Sequence, residues 1–444
     1  MTAAPAVERR RAFDVVRAVR RGERAEDALA RAARGLDARR RPFLMELSYG
    51  TIRWRLRLDH HLDELLDEGV GSLPPDVLSI LELGAYQILL MDGVPPWSAV
   101  DESVRLARRL LPARDARWAT GLVNAVLRNL ARRKDELALP GEDDPVRRLA
   151  VEHSHPEWLV ERWLARFGRA ATVALLARDN TPPPVHLALH PGRATLESAL
   201  AELRAAGVEA APHPAKPDAI VLGPGAAPDR LHGWAEGRFW VQDAGAQWVA
   251  AVLEPPARGW ILDAFAAPGG KLAALLARAP ELRALALDVD PARLARVEEN
   301  RRRLGLEGAR PVAADAAAPP TAARFPLVLA DVPCSGTGVL RRRVDARWRR
   351  RAGDVDRFAA VQRSLLAALA ERVQPGGTLL YATCSLEREE NQDVVTAFLS
   401  SRPDFRIVPV DAPDAVREGP FLQTRPWEVD LDGMFAARLV REDG

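Results

Sequence analysis

Cysteine is nearly absent. Two residues of 444, Cys334 and Cys384, cannot build a disulfide framework or the Cys-rich cage of a structural zinc site. Long apolar runs are missing too, and none nears the roughly 18 residues that a membrane span needs. Between Met1 and Arg21 no apolar segment of the signal-peptide kind occurs, so a cytoplasmic protein without metal or membrane contact is expected. Charge of one sign is also lacking. The chain sets 63 Lys and Arg against 61 Asp and Glu, a net charge of +2 that does not announce a nucleic-acid binder. Lysine itself is scarce, with only Lys134, Lys216 and Lys271, so the basic side is almost all arginine. Genomic base composition accounts for that bias in kind. Its clustering is more informative: Arg341, Arg342, Arg343, Arg347, Arg349, Arg350 and Arg351 fall within about three helical turns. Such a run is either a solvated face or a phosphate-binding one.

Length sets a soft prior of two or three domains. From Ala6 to about Ala138 apolar residues recur at three and four spacing, as in Leu58-Leu62-Leu65-Leu66, and an all-α domain over residues 1–139 is expected. The acidic, turn-rich Leu139–Pro145 reads as a linker. Residues 145–230 mix helical stretches with strand-like Val185–Leu189 and Ala219–Leu222, and are expected to form a small α+β module. Over residues 231–444 short apolar strands alternate with helices, the pattern of βαβ units on a largely parallel, Rossmann-like sheet. Ligands of such sheets lie outside the carboxyl ends of the strands, and the motifs fall there.

The first of these strands runs into Asp263-Ala264-Phe265-Ala266-Ala267-Pro268-Gly269-Gly270-Lys271. Its paired glycines let backbone approach a ligand at a helix N-terminus, yet the spacing matches neither a dinucleotide fingerprint nor a Walker loop. The next strand ends at Asp288, placed to accept from ribose hydroxyls, and Asp315 follows a third, within reach of an adenine amine. A nucleoside cofactor without phosphates fits, and S-adenosylmethionine is such a molecule. Two further strands end in Asp331-Val332-Pro333-Cys334-Ser335-Gly336-Thr337-Gly338 and Tyr381-Ala382-Thr383-Cys384-Ser385, so both thiols point to one crevice. A thiolate adding to C6 of a pyrimidine turns C5 into a carbon able to accept a methyl group. Cytosine needs a carboxyl at N3 for that addition, and Asp331 suits the place. A helix beginning just after Cys384 would favour its thiolate. The residues alone leave open which thiol attacks.

These blocks, with Asp432-Gly433-Met434-Phe435-Ala436-Ala437-Arg438-Leu439 near the end, resemble the RNA cytosine-5 methyltransferases of the Sun/Nol/Nop family. The helical part, through Tyr49-Gly50-Thr51-Ile52-Arg53, Glu82–Ile88 and Leu122–Asn129, is similar to a NusB-like RNA-binding domain. The pairing points to the bacterial small-subunit branch, so 16S ribosomal RNA, free or in an early small-subunit particle, is the expected substrate, and a monomer is expected. The resemblance implies Cys384 as nucleophile, Cys334 as the product-release residue, and Asp331 as the contact to base N3 or N4. It places the cofactor against Phe265, Ala266, Ala267, Pro268, Gly269, Gly270, Lys271, Asp288, Asp315 and Asp331. Phe265, Leu272 and Pro326 depart from the usual pattern without removing chemistry. RNA contact is expected from Arg341, Arg342, Arg343 and Arg347, with Trp348 as a base-stacking platform. Transfer RNA or 23S rRNA as substrate, or a non-catalytic NusB-like factor, are the competing readings.

Overall fold

The computed structural model describes residues 6–443, which form two compact units. The first holds the chain to Thr181 together with Leu340–Arg350; the second holds Pro182–Val339 and the chain from Arg351.

The first unit is helical: α1 (Val7–Arg20), α2 (Ala25–Ala33), α3 (Arg41–Arg53), α4 (Arg55–Asp63), α5 (Pro75–Leu90), α6 (Pro96–Leu110), α7 (Ala113–Arg133), α8 (Pro145–His153) and α9 (Glu157–Asp179). Proline opens α5, α6 and α8, where a missing N–H costs nothing. Helix α5 buries every residue from Val77 to Ile88 and so forms the centre of the unit. The small module expected to begin at 145 does not pack that way. Leu149, Ala150 and Val151 of α8 are buried, Ser154 accepts from the Leu56 N–H at 3.0 Å, and Arg57 donates to the Glu152 carbonyl. The acidic stretch before α8 is exposed, and α8 after it packs with the helical unit.

The second unit starts with β1 (Val185–Leu189), α10 (Leu196–Ala205), β2 (Ala210–His213), β3 (Lys216–Leu222) and β4 (Phe239–Val241), an antiparallel sheet in the order β2-β3-β1-β4. Ala199 and Leu203 of α10 cover Leu187, Ile220, Leu222 and Phe239. After α11 (Ala244–Ala251) come β5 (Arg258–Asp263), α12 (Gly270–Arg278), β6 (Glu281–Asp288), α13 (Pro291–Leu304), β7 (Ala309–Ala313) and β8 (Phe325–Asp331). The chain then enters the helical unit with α14 (Ala346–Arg349) and returns as α15 (Asp354–Ala370), β9 (Val373–Thr383), α16 (Gln392–Ser401), β10 (Phe405–Val408), β11 (Arg417–Glu418), β12 (Phe421–Gln423) and β13 (Phe435–Arg441). Helix α13 shows how locally this is written: Asp290 caps the Ala292 N–H, Pro291 takes the first turn, and Gly305 at φ 67° ends it.

The large sheet runs β11-β12-β13-β9-β8-β5-β6-β7, with β10 on β13. Strands β9, β8, β5, β6 and β7 are parallel, but β10 to β13 are antiparallel, so the sheet is mixed rather than largely parallel. A Gly419-Pro420 hairpin joins β11 to β12, a connection too short for a parallel crossover. The chain order reverses between β5 and β8, which opens the crevice between Asp263 and Asp331 at their carboxyl ends.

Candidate active site

The loop after β5 is fixed before any ligand is considered. Ala264 and Ala266 donate to the carbonyls of Leu329 and Leu287 on the two flanking strands. Arg293 and Asn300 of α13 hold the carbonyls of Ala267 and Pro268 at 3.0 and 3.1 Å. Gly269 sits at φ 105°, a conformation side chains resist, and turns the chain into α12. The N-terminus of α12 thus opens on the crevice with Lys271 in its first turn. Three carboxylates stand at neighbouring strand ends. Asp263 is buried and accepts from the Phe265 N–H at 3.2 Å. Asp288, 3% exposed, accepts from the Asp290 N–H and pairs with Arg293 at 3.1 Å. Asp315 is exposed, with one oxygen on the Ala317 N–H.

Lys271 reaches across to Asp331 at 2.5 Å. Burial works against its charge, but the Asp331 carboxylate, Cys384 and Asp263 together hold its ammonium above the ordinary lysine range. Burial pushes Asp263 up to about 7. Its native state therefore keeps a proton that the unfolded chain releases near pH 4, so stability falls as pH rises from about 4 to 7. Asp263→Asn keeps the acceptor for Phe265 and removes that penalty. Its melting temperature relative to wild type should rise by several degrees between about pH 4 and pH 8. A gap independent of pH would mean that Asp263 is ionised throughout.

The sulfurs of Cys334 and Cys384 lie 3.2 Å apart, side by side beyond the ends of β8 and β9. Both residues are half-buried. Behind them is a network that the sequence did not announce. Glu390, fully buried, accepts from the Ser335 N–H at 2.8 Å, the Gln362 amide at 2.9 Å and the Ser385 hydroxyl at 2.7 Å. Its own carbonyl takes the Tyr381 hydroxyl. Thr383 donates to Asn391, whose amide donates to the Ser385 carbonyl at 2.8 Å. The Ser-Gly-Thr-Gly loop is pinned from the other side, where Gly338 receives the Gly433 N–H at 2.8 Å. A Cβ on Gly338 would lie 2.2 Å from the Gly433 carbonyl oxygen, which explains a glycine in each block. Glu390 stands in the visible Glu389-Glu390-Asn391 run, but nothing marked it above its neighbours, and Gln362 lies mid-helix with no local signal at all.

Two expectations fail. The helix that follows Cys384 does not start at the thiol: a 3-10 turn, Arg388–Glu390, intervenes, and α16 begins only at Gln392. The arginine run is not a solvated face along its length either. Arg347 is fully buried in the helical unit, donating to the carbonyls of Ser154, Asp179 and Leu340 and to the Asn180 side chain. Arg341 is 7% exposed and donates to the Thr181 carbonyl. Trp348 gives its indole N–H to the Ile52 carbonyl at 2.6 Å and packs against the helical core. Arg342 is half-buried, and only Arg343 of those named is exposed. A charge run looks the same in sequence whether solvated or folded inward. Backbone carbonyls at the ends of α8 and α9 decide it here.

Residues 250–440 match the family model described as 16S rRNA methyltransferase RsmB/F. Residues 6–132 match the NusB family, and 155–227 the ferredoxin-like domain of RsmF/B-like methyltransferases. Ribosomal RNA small subunit methyltransferase B of Salmonella typhi is 36% identical over 402 residues, covering 90% of each chain. The chain belongs to the RsmB/F family. It is an S-adenosylmethionine-dependent rRNA methyltransferase with a NusB-like RNA-binding domain. The same-named protein of Salmonella newport (strain SL254) matches to the same extent. Among solved structures, PH0851 superposes with a TM-score of 0.84 at 24% identity, covering 99% of both chains. NSun6 from Pyrococcus horikoshii, solved with the S-adenosylmethionine analogue SFG, gives 0.58 at 20% identity over 65% of this chain and 99% of its own. Both likenesses show the fold. The donor set suits the cofactor of an RsmB/F methyltransferase: carboxylates at successive strand ends, a glycine turn at Gly269 and Gly270 into the N-terminus of α12, and no phosphate-binding Walker loop.

Proposed function

We propose that the protein methylates carbon 5 of a cytosine in 16S ribosomal RNA through a covalent adduct between Cys384 and C6. The observation that carries this is the thiol pair, 3.2 Å apart, in one crevice with the Lys271–Asp331 pair. Carbon 5 of a neutral cytosine is a poor nucleophile. Addition of the Cys384 sulfur at C6 breaks the C5–C6 double bond and delivers its electron pair to C5. Asp331, at the mouth with its side chain 30% exposed, accepts a hydrogen bond from the N4 amine or from N3 once protonated, and so stabilises the N3-protonated base whose positive charge makes C6 electrophilic. Lys271 sets that carboxylate, and its positive charge interacts with the Cys384 sulfur. S-adenosylmethionine, held by Phe265–Lys271, Asp288 and Asp315, supplies the methyl group. A general base then takes the C5 proton, the C–H electron pair restores the C5–C6 double bond, and the C6–sulfur bond breaks to expel the Cys384 thiolate, with Cys334 assisting that release. The base must leave its stack for C6 to meet sulfur at strand-end depth. The protein acts as a monomer in the cytoplasm, on free rRNA or an early small-subunit particle.

The test is incubation of purified protein and cofactor with unmodified 16S rRNA, followed by bisulfite mapping. One new 5-methylcytosine in 16S rRNA is expected. Methylation confined to transfer RNA, or a product at another atom of the base, would overturn the assignment.

A further inference from the structure

We propose that the cavity between the small antiparallel sheet and helices α11 and α12 is a second binding site that takes one nucleotide, with the base on Trp240, Gln242 and Gln247 and the phosphate on Lys216 and Arg278. The inference goes beyond the reaction proposed above. None of the residues lining this cavity belongs to the thiol blocks or to the strand-end carboxylates.

The cavity measures about 290 Å³, close to the lower end of the roughly 300–1,000 Å³ common for small-molecule pockets. Strands β1, β3 and β4 wall it on one side, α11 and α12 on the other. Most of the wall is aliphatic, so the few polar groups in it stand out.

Two of these are glutamine amides, each held at one end only. Gln242, just after β4, is 8% exposed, and its side-chain oxygen takes the Trp240 indole N–H at 2.8 Å. Its amide nitrogen donates to nothing among the described residues. Gln247 on α11, also 8% exposed, gives its amide nitrogen to the Gln242 carbonyl at 2.9 Å, which leaves its side-chain oxygen unengaged. These partners settle which end of each amide is which. The cavity therefore offers one fixed donor and one fixed acceptor, and an unpaired amide end at such burial is costly unless a ligand meets it. A donor beside an acceptor complements the hydrogen-bonding edge of a nucleobase, and Trp240 supplies an aromatic wall for its ring.

The charge in the cavity is positive. Lys216 on β3, 5% exposed, pairs with Asp218 and stands 4.8 Å from the centre of the Trp248 ring. Arg278, at the end of α12, donates to the carbonyls of Ala274 and Ala250 at 3.0 and 2.7 Å, and among the described residues no carboxylate lies within ion-pair distance of it. Two cations against Asp218 alone leave one positive charge beside apolar walls, which favours a phosphate. The site also borders the cofactor turn: a Cβ on Gly270 would lie 3.2 Å from the Gln242 amide nitrogen. A nucleotide of the bound RNA and a free nucleotide present the same chemistry, and the experiment separates them.

The experiment titrates the full-length protein with cytidine, uridine, adenosine and guanosine 5′-monophosphates, followed by calorimetry. At least one should bind. Lys216→Met and Gln247→Leu should each weaken that binding about tenfold, whereas Asp331→Asn in the thiol crevice should leave it unchanged. Methylation kinetics then identify the source. A KM for 16S rRNA raised severalfold in both cavity variants, with kcat unchanged, assigns the site to a nucleotide of the RNA chain. Monophosphate binding that weakens in the same variants at an unchanged KM assigns it to a free nucleotide. Binding lost in Asp331→Asn but kept in the cavity variants would put the nucleotide in the crevice and overturn the proposal. So would the absence of any monophosphate binding together with an unchanged KM for RNA. Should Lys216→Met not fold, Arg278→Met, at an exposed position, carries the same two readouts. Monophosphate binding needs neither cofactor nor methyl transfer. Its failure would leave the methylation map standing, and a failed map would leave the second site intact.

Discussion

Cys384→Ala should lose methylation by more than about a thousandfold, some 4 kcal/mol of transition-state stabilisation, and form no covalent complex with RNA. Cys334→Ala should behave differently: it completes addition and methyl transfer, then stalls, and an RNA–protein adduct that survives denaturing electrophoresis accumulates. The asymmetry follows from the proposed roles. Both sulfurs reach the same crevice, 3.2 Å apart, and the Thr-Cys-Ser and Pro-Cys-Ser blocks assign them different roles. Alanine at 334 removes the assisting thiol without disturbing the Ser335 contact to Glu390 through its backbone N–H. Alanine at 384 removes the attacking sulfur itself. Adduct accumulation in Cys384→Ala, with none in Cys334→Ala, would reverse the two roles. Methylation surviving in both variants would remove covalent catalysis altogether.

Most of the fold was legible because its signals are local. The caps of α13, the prolines opening α5 and α6, and the apolar strand cores of β5, β6 and β8 are each written within a few residues. The strand-end carboxylates and both cysteines were legible for the same reason, since βαβ order dictates where a strand end must face. What escaped depends on contacts distant in sequence. The antiparallel half of the sheet is decided by how β13 pairs with β9, more than fifty residues apart in sequence. Glu390 acquires its place only when Gln362 and Ser335 arrive from other elements. The arginine run misled because composition carries no sign of direction. Arginine and tryptophan suit RNA, yet they equally suit a segment that must satisfy carbonyls at helix ends inside a protein.

Arg347→Ala should therefore destabilise the helical unit by about 3–5 kcal/mol, whereas Arg343→Ala, four residues away and exposed, should stay within about 0.5 kcal/mol. The guanidinium of Arg347 is wholly enclosed, and burial drags it down to about 9, which still leaves it a cation at neutral pH. Its two terminal nitrogens satisfy the carbonyls of Ser154, Asp179 and Leu340 and the Asn180 side chain. Removing it strands several buried acceptors at once and opens a cavity. It also relieves His155, now held neutral with its value near 4 by burial and by the Arg347 charge. Urea unfolding followed by circular dichroism should show the helical transition moving to lower denaturant in Arg347→Ala alone. A phosphate-binding role predicts the opposite pattern: unchanged unfolding, weaker RNA binding, and a shallower dependence of affinity on salt. Arg347→Lys separates the two further, because one ammonium keeps the charge but cannot span four acceptors arranged for a planar fork. It should recover little of the lost stability, while a phosphate contact would tolerate it.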